Sequence, residues 1–75
     1  MLTKQEKEIL FDAEKEIYNL RETIKKRGRV LNNGEFASLC SGFLNGVVSV
    51  LNTLDIEMSE EFEEETLALM DRIIG

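Results

Sequence analysis

The sequence predicts an all-α protein: a helical hairpin followed by a third helix, in a domain small enough to favour assembly as a homo-oligomer. Three observations carry this. Apolar residues recur at alternating spacings of three and four in three separate stretches, which is the helical period. Residues suited to capping stand at the start of each stretch. Short segments separate the stretches, one of them marked by Asn and Gly, and there is no proline in the chain.

The first helix is expected over residues 3–28. Thr3 and Glu6 have the T-x-x-E spacing of a capping box, in which each side chain reaches the other's backbone N–H. Leu10, Ala13, Ile17, Leu20 and Ile24 form an apolar stripe. Phe11 and Tyr18 lie to one side of it as a smaller second line. Lys25, Lys26 and Arg27 end the helix where cations meet the negative end of its dipole, and Gly28 suits the position just beyond. Asn32, Asn33 and Gly34 read as a turn, with Asn32 and Glu35 spaced to cap the next helix.

The second helix is expected over 33–54, and it has to compete with a β-hairpin. Asn45-Gly46 is a strong two-residue turn signal, and Val47, Val48 and Val50 favour strands. A hairpin about Asn45-Gly46 would put Leu44, Val47, Gly42 and Ser49 on one face and Phe43, Val48, Ser41 and Val50 on the other. Neither face is cleanly apolar, so no register buries the apolar set alone. Wound as a helix, Phe36, Leu39, Cys40, Phe43, Leu44, Val47, Val50, Leu51 and Leu54 gather in an arc of about 140°. Gly42 and Gly46 each cost about 1 kcal/mol relative to Ala in a helix. Burial of a single Leu or Phe contributes about 1.5–3 kcal/mol, so the helix wins.

The third helix is expected over 59–74. Ser59 is a good N-cap, and Glu60 and Glu61 suit the positive end of the dipole. Phe62, Thr66, Leu69, Met70 and Ile73 make one face, which Leu67 and Ile74 are expected to widen. Short connections make neighbouring helices antiparallel. At 1.5 Å per residue the first helix is about 38 Å long and the third about 24 Å, so the third leaves part of the first uncovered.

Length and composition bound the function. A chain of 75 residues is one domain, residues 1–75, and a core of that size supplies only about 3–5 kcal/mol. A single cysteine, Cys40, forms no intrachain disulfide, and without His the chain lacks the ligand set of a structural zinc site. Oligomerisation is the stabilising device left, with a dimer favoured. No apolar signal-peptide core follows the charged start, and a free thiol fits a reducing compartment, so the cytoplasm is the expected location. The charge is split. Residues 1–29 carry a net +2 and residues 30–75 a net −8, where Arg72 is the one cation. An acidic chain argues against general nucleic-acid binding, whose affinity comes from neutralising phosphates.

Three features are candidates for function. Residues 36–54 form nineteen positions without a formal charge. Eight of them are Ser, Asn, Thr or Gly, mostly on one side, which argues against a membrane span. Ser38, Gly42, Asn45, Gly46 and Ser49 form a small-residue face that permits close approach of another helix. That helix is either one of the chain's own, helix one or three, or belongs to a symmetry mate or a foreign partner. The second feature is an acidic face: Glu57, Glu60, Glu61, Glu63, Glu64 and Glu65. It is either a solvated helix start or a docking surface for a basic partner. The third is a basic cluster, Lys25, Lys26, Arg27 and Arg29, read either as dipole compensation or as a phosphate contact. In an up-down-up bundle the basic and acidic clusters fall at opposite poles of one subunit.

No nucleophile–base pair, Gly-rich phosphate loop or metal-ligand spacing is present, so no enzyme and no cofactor is expected. Cys40 sits among Phe36, Phe43 and Leu44 and reads as a core residue. The expectation is a small interaction module with a protein partner, a regulator or inhibitor acting by binding another macromolecule. The alternatives are a purely structural homo-oligomeric bundle and a weak nucleic-acid binder using residues 25–29.

Overall fold

The computed structural model describes residues 1–74. It contains three helices, α1 (Lys4–Lys26), α2 (Asn33–Thr53) and α3 (Glu60–Ile74), and no strand among the described residues. Each agrees with the expected span to within one or two residues at either end. Asn45-Gly46 lies inside α2, so the turn signal yields to the helical burial pattern.

Local chemistry explains where each helix starts and stops. At α1, the Glu6 N–H donates to Thr3 Oγ1 at 3.1 Å and the Thr3 N–H donates to Glu6 Oε1 at 2.9 Å. Asn32 and Glu35 repeat this reciprocal cap at α2, at 2.8 and 3.1 Å. Four of the orphan N–H groups are satisfied in this way. Two Schellman motifs close α1 and α2. The Gly28 N–H donates to the Lys25 carbonyl and the Arg29 N–H to the Ile24 carbonyl. The Asp55 N–H donates to the Asn52 carbonyl and the Ile56 N–H to the Leu51 carbonyl. Both motifs need a left-handed residue at the turn. Gly28 takes it at φ 95°, and Asp55 takes it at φ 56° despite its side chain.

The helices pack pairwise, all three against one another. Ala13 and Ile17 of α1, Phe36, Cys40 and Leu44 of α2, and Leu69 and Ile73 of α3 form the central core. Leu51 and Phe62 are buried as well. Hydrogen bonds and ion pairs set the relative direction of α1 and α3. Glu6 meets Ser59 near both helix starts, and Glu14 meets Arg72 farther along both. The two helices are therefore parallel, with α2 running between them in the opposite sense.

Coverage differs from expectation on each of the three helices. Leu67 does not widen the core face of α3; it is 62% exposed, and Ile74 is exposed too. At about 100° per residue both sit more than about 100° from the Phe62–Leu69–Ile73 centre. On α1, Tyr18 reaches the Phe36 ring at 6.3 Å between centroids, but Phe11 is 71% exposed, and Leu20 of the expected apolar stripe is exposed as well. On α2, the expected apolar arc is buried along Phe36, Cys40, Leu44 and Leu51, whereas Val50 and Leu54 stay exposed.

Candidate interaction surface

α2 carries the most distinctive surface, because its own chain leaves one side of it bare. The alternative in which α1 or α3 covers the small-residue face is not what the fold does. Ser38, Gly42, Asn45, Gly46 and Ser49 are all exposed. A Cβ built at Gly42 or Gly46 would meet nothing within 4 Å. Asn45 of this face turns to its own helix, where its Nδ2 donates to Ser41 Oγ at 3.4 Å, and beside the face Thr53 Oγ1 donates to the Ser49 backbone carbonyl at 2.9 Å.

The bare side continues into an apolar groove of about 520 Å³. Gly42, Phe43, Gly46, Val47 and Val50 form one wall and Ile9 of α1 the other. Phe43 and Val47 are half-buried and Val50 is 57% exposed. Gly42 and Gly46 contribute bare backbone to this wall. By length and composition α2 is also apolar enough to cross a membrane, although Phe36, Cys40, Leu44 and Leu51 are buried in the three-helix core.

Ile9 leads to a second hollow, lined by Thr3, Glu6, Ile56, Met58 and Ser59, where α1 and α3 begin. Glu6 organises this pole. Its Oε2 accepts from the Ser59 N–H at 3.0 Å and from the Ser59 hydroxyl at 2.9 Å, while its Oε1 accepts from the Thr3 N–H. Ser59 Oγ in turn accepts from the Phe62 N–H at 3.2 Å, which completes the expected N-cap of α3. One carboxylate therefore caps its own helix and anchors the cap of another. These hydrogen bonds, first from Thr3 and then from Ser59, hold the Glu6 carboxyl at a pKa of about 2 against the opposing effect of burial. The sequence marks Glu6 as a cap of α1 and gives no sign of the link to Ser59.

The acidic face occupies the same pole. Glu57, Glu60, Glu61, Glu63, Glu64 and Glu65 are all exposed. Within the subunit, Glu61 receives the terminal amino group of Met1. Arg72, the lone cation of the acidic half, pairs instead with Glu14 on α1 at 2.6 Å.

The basic cluster lies at the opposite pole, where α1 ends and α2 begins. Lys25, Lys26, Arg27 and Arg29 are exposed, and Arg29 pairs with Glu35. Glu35 has a lowered pKa, first through the Asn32 N–H and then through Arg29. One turn earlier, the Arg21 guanidinium lies 5.0 Å from the Tyr18 ring centroid and 4.7 Å from that of Phe36. This cation–π contact joins α1 to α2, and Arg21 does not stand out in the sequence.

Cys40 is fully buried, and burial raises its thiol pKa despite Arg21. Among the described residues no group of three or more His, Cys, Asp or Glu side chains is placed to hold a metal ion. No protein-family model matches the chain, and neither a curated protein nor a solved structure matches it.

Proposed function

We propose that this protein is a small interaction module, a regulator or inhibitor that acts by binding another macromolecule and that also self-associates. One observation carries the reading: the uncharged groove of α2, lined by Phe43, Val47 and Val50, stays open to solvent in the single chain. Water-exposed apolar surface in a contiguous groove favours burial against another protein. A solvated helix face ordinarily carries charge, and this one has none from Phe36 to Leu54.

The second binding element is the acidic pole. Carboxylates crowded on the first turns of α3 attract a basic surface, raising its on-rate and selecting against acidic competitors. The partner that fits this chemistry is a protein with an exposed Lys/Arg-rich surface, a nucleic-acid site of another protein being one example.

Affinity capture with the full chain tests the reading. Wild type and a Glu63→Lys/Glu64→Lys variant are immobilised and exposed to lysate at low and high salt, and bound proteins are identified by mass spectrometry. The expected result is a protein with a basic surface, retained at low salt, released at high salt and absent from the charge-reversed variant. Retention indifferent to both salt and charge reversal would rule out the acidic pole as the docking element.

A further inference from the structure

We infer that the α2 groove is occupied by a second copy of this chain, seated antiparallel about a two-fold axis so that each basic pole meets the other subunit's acidic pole. This deepens the self-association proposed above and rests on it. Three independent properties of the subunit point to this occupant and this direction.

The first is surface area. The chain exposes 5529 Å² for a mass of 8.6 kDa. A compact monomer of that mass exposes about 4,700 Å². The surplus is a property of the whole surface, to which the uncovered side of α2 contributes. The subunit is also elongated, 39 × 24 × 18 Å, with α3 eight residues shorter than α1.

The second is the shape of the groove. An isologous dimer requires one patch that complements itself. Gly42 and Gly46 are one turn apart on α2 with open space above both. In an antiparallel crossing centred between them, Gly42 of one copy faces Gly46 of the other, and the two backbones approach closely. Phe43 then flanks the crossing on the side of the second copy's groove, and Val50 lies farther out, opposite Ser38 of the second copy. The facing residues carry no charge, so closing the interface strands none. Asn45 already donates to Ser41 within its own helix.

The third is charge. Lys25, Lys26 and Arg27 lie where α1 ends, and Glu57, Glu60 and Glu61 lie near the start of α3. Because α1 and α3 are parallel, these groups sit at opposite ends of the subunit. A parallel pair would set like charges together at both ends. An antiparallel pair matches them twice, at the rim of the interface, where charge complementarity fixes orientation.

Sedimentation equilibrium on the full chain, with circular dichroism as the check on folding, tests the arrangement. Wild type is expected at twice the 8.6 kDa chain mass at micromolar concentration. Val50→Lys is expected to retain its helicity and dissociate roughly tenfold more readily, since it sets a charge against the uncharged α2 face of the second copy. Gly42→Ala/Gly46→Ala adds only methyl groups that the single subunit accommodates. It is expected to be fully helical yet roughly tenfold weaker as a dimer, because close approach of the backbones is lost. Lys25→Glu/Lys26→Glu is expected to weaken the dimer roughly tenfold at low salt, and adding Glu60→Lys/Glu61→Lys to restore it. A wild type that stays monomeric overturns the dimer and leaves the capture of a basic partner to be judged on its own result. A dimer unaffected by Val50→Lys places the interface elsewhere, and failure of the second charge pair to rescue the first refutes the antiparallel direction.

Discussion

At Glu6 one carboxylate holds the starts of two helices, and the consequence is a pH-dependent fold. In the unfolded chain this group titrates near its ordinary value of 4.5; in the fold it titrates at about 2. Between those values the unfolded state binds more protons, so stability falls as the solution is acidified. The contribution is complete above pH about 4.5 and is lost as pH drops through about 2. Glu35, also lowered, acts in the same direction. Urea midpoints measured at pH 5 and pH 3 are expected to fall for wild type and to fall less for Glu6→Gln. Ser59→Ala removes the hydroxyl between Glu6 and the Phe62 N–H and is expected to cost about 1 kcal/mol. Asp55 presents the opposite case. It holds a left-handed conformation at φ 56° that glycine takes without strain. Asp55→Gly is expected to raise stability by about 0.5–1 kcal/mol in thermal denaturation. Cys40, buried and protonated, is expected to react with a thiol reagent only as fast as the domain opens.

Among the elements, α2 shows how burial overrides local preference. Three valines and an Asn-Gly pair favour a hairpin, yet only the helix places Phe36, Cys40, Leu44 and Leu51 on one line into the core. Leu44 is almost fully buried. Leu44→Ala is expected to cost about 2–5 kcal/mol, comparable to the whole stability of about 3–5 kcal/mol that a core of this size supplies. Its far-ultraviolet circular dichroism should therefore show a largely unfolded chain. Leu67→Ser on α3 should change stability by less than about 0.5 kcal/mol, because Leu67 faces solvent. The two leucines are alike in the sequence, and both lie near the edge of a predicted apolar face or within it. Their difference comes from which third of each helix the neighbouring helices reach.

The whole molecule is a bundle with one acidic and one basic end, joined by a helix that carries no charge along most of its length. An isolated bundle of this kind leaves Val50, Phe43 and Ile9 facing a groove rather than a core. If a second copy fills it, the thermal midpoint rises with protein concentration by mass action, while a monomer shows no such dependence. Scans over a hundredfold range of concentration read this directly. Rim charges screen over about 8–10 Å at ordinary ionic strength, so added salt should shift the dimer more than it shifts the subunit fold.

The sequence by itself determined the three helices, their capping residues and the segregation of charge. These rest on interactions within about four residues, and periodicity records them. The reciprocal caps Thr3–Glu6 and Asn32–Glu35 and the left-handed Gly28 are legible for that reason. Only the tertiary structure decided the rest. Glu6 meets Ser59 across 53 positions of chain, and no local pattern encodes that meeting. Arg21 finds Phe36 in the same way. The bare face of α2 depends on how far α1 and α3 wrap around it, which is set by helix lengths and offsets rather than by the residues of α2. Gly42 and Gly46, in an uncharged stretch that resembled a turn, are mid-helix positions with open space above them. Their own helix could be read from periodicity, but what covers them depends on packing between elements.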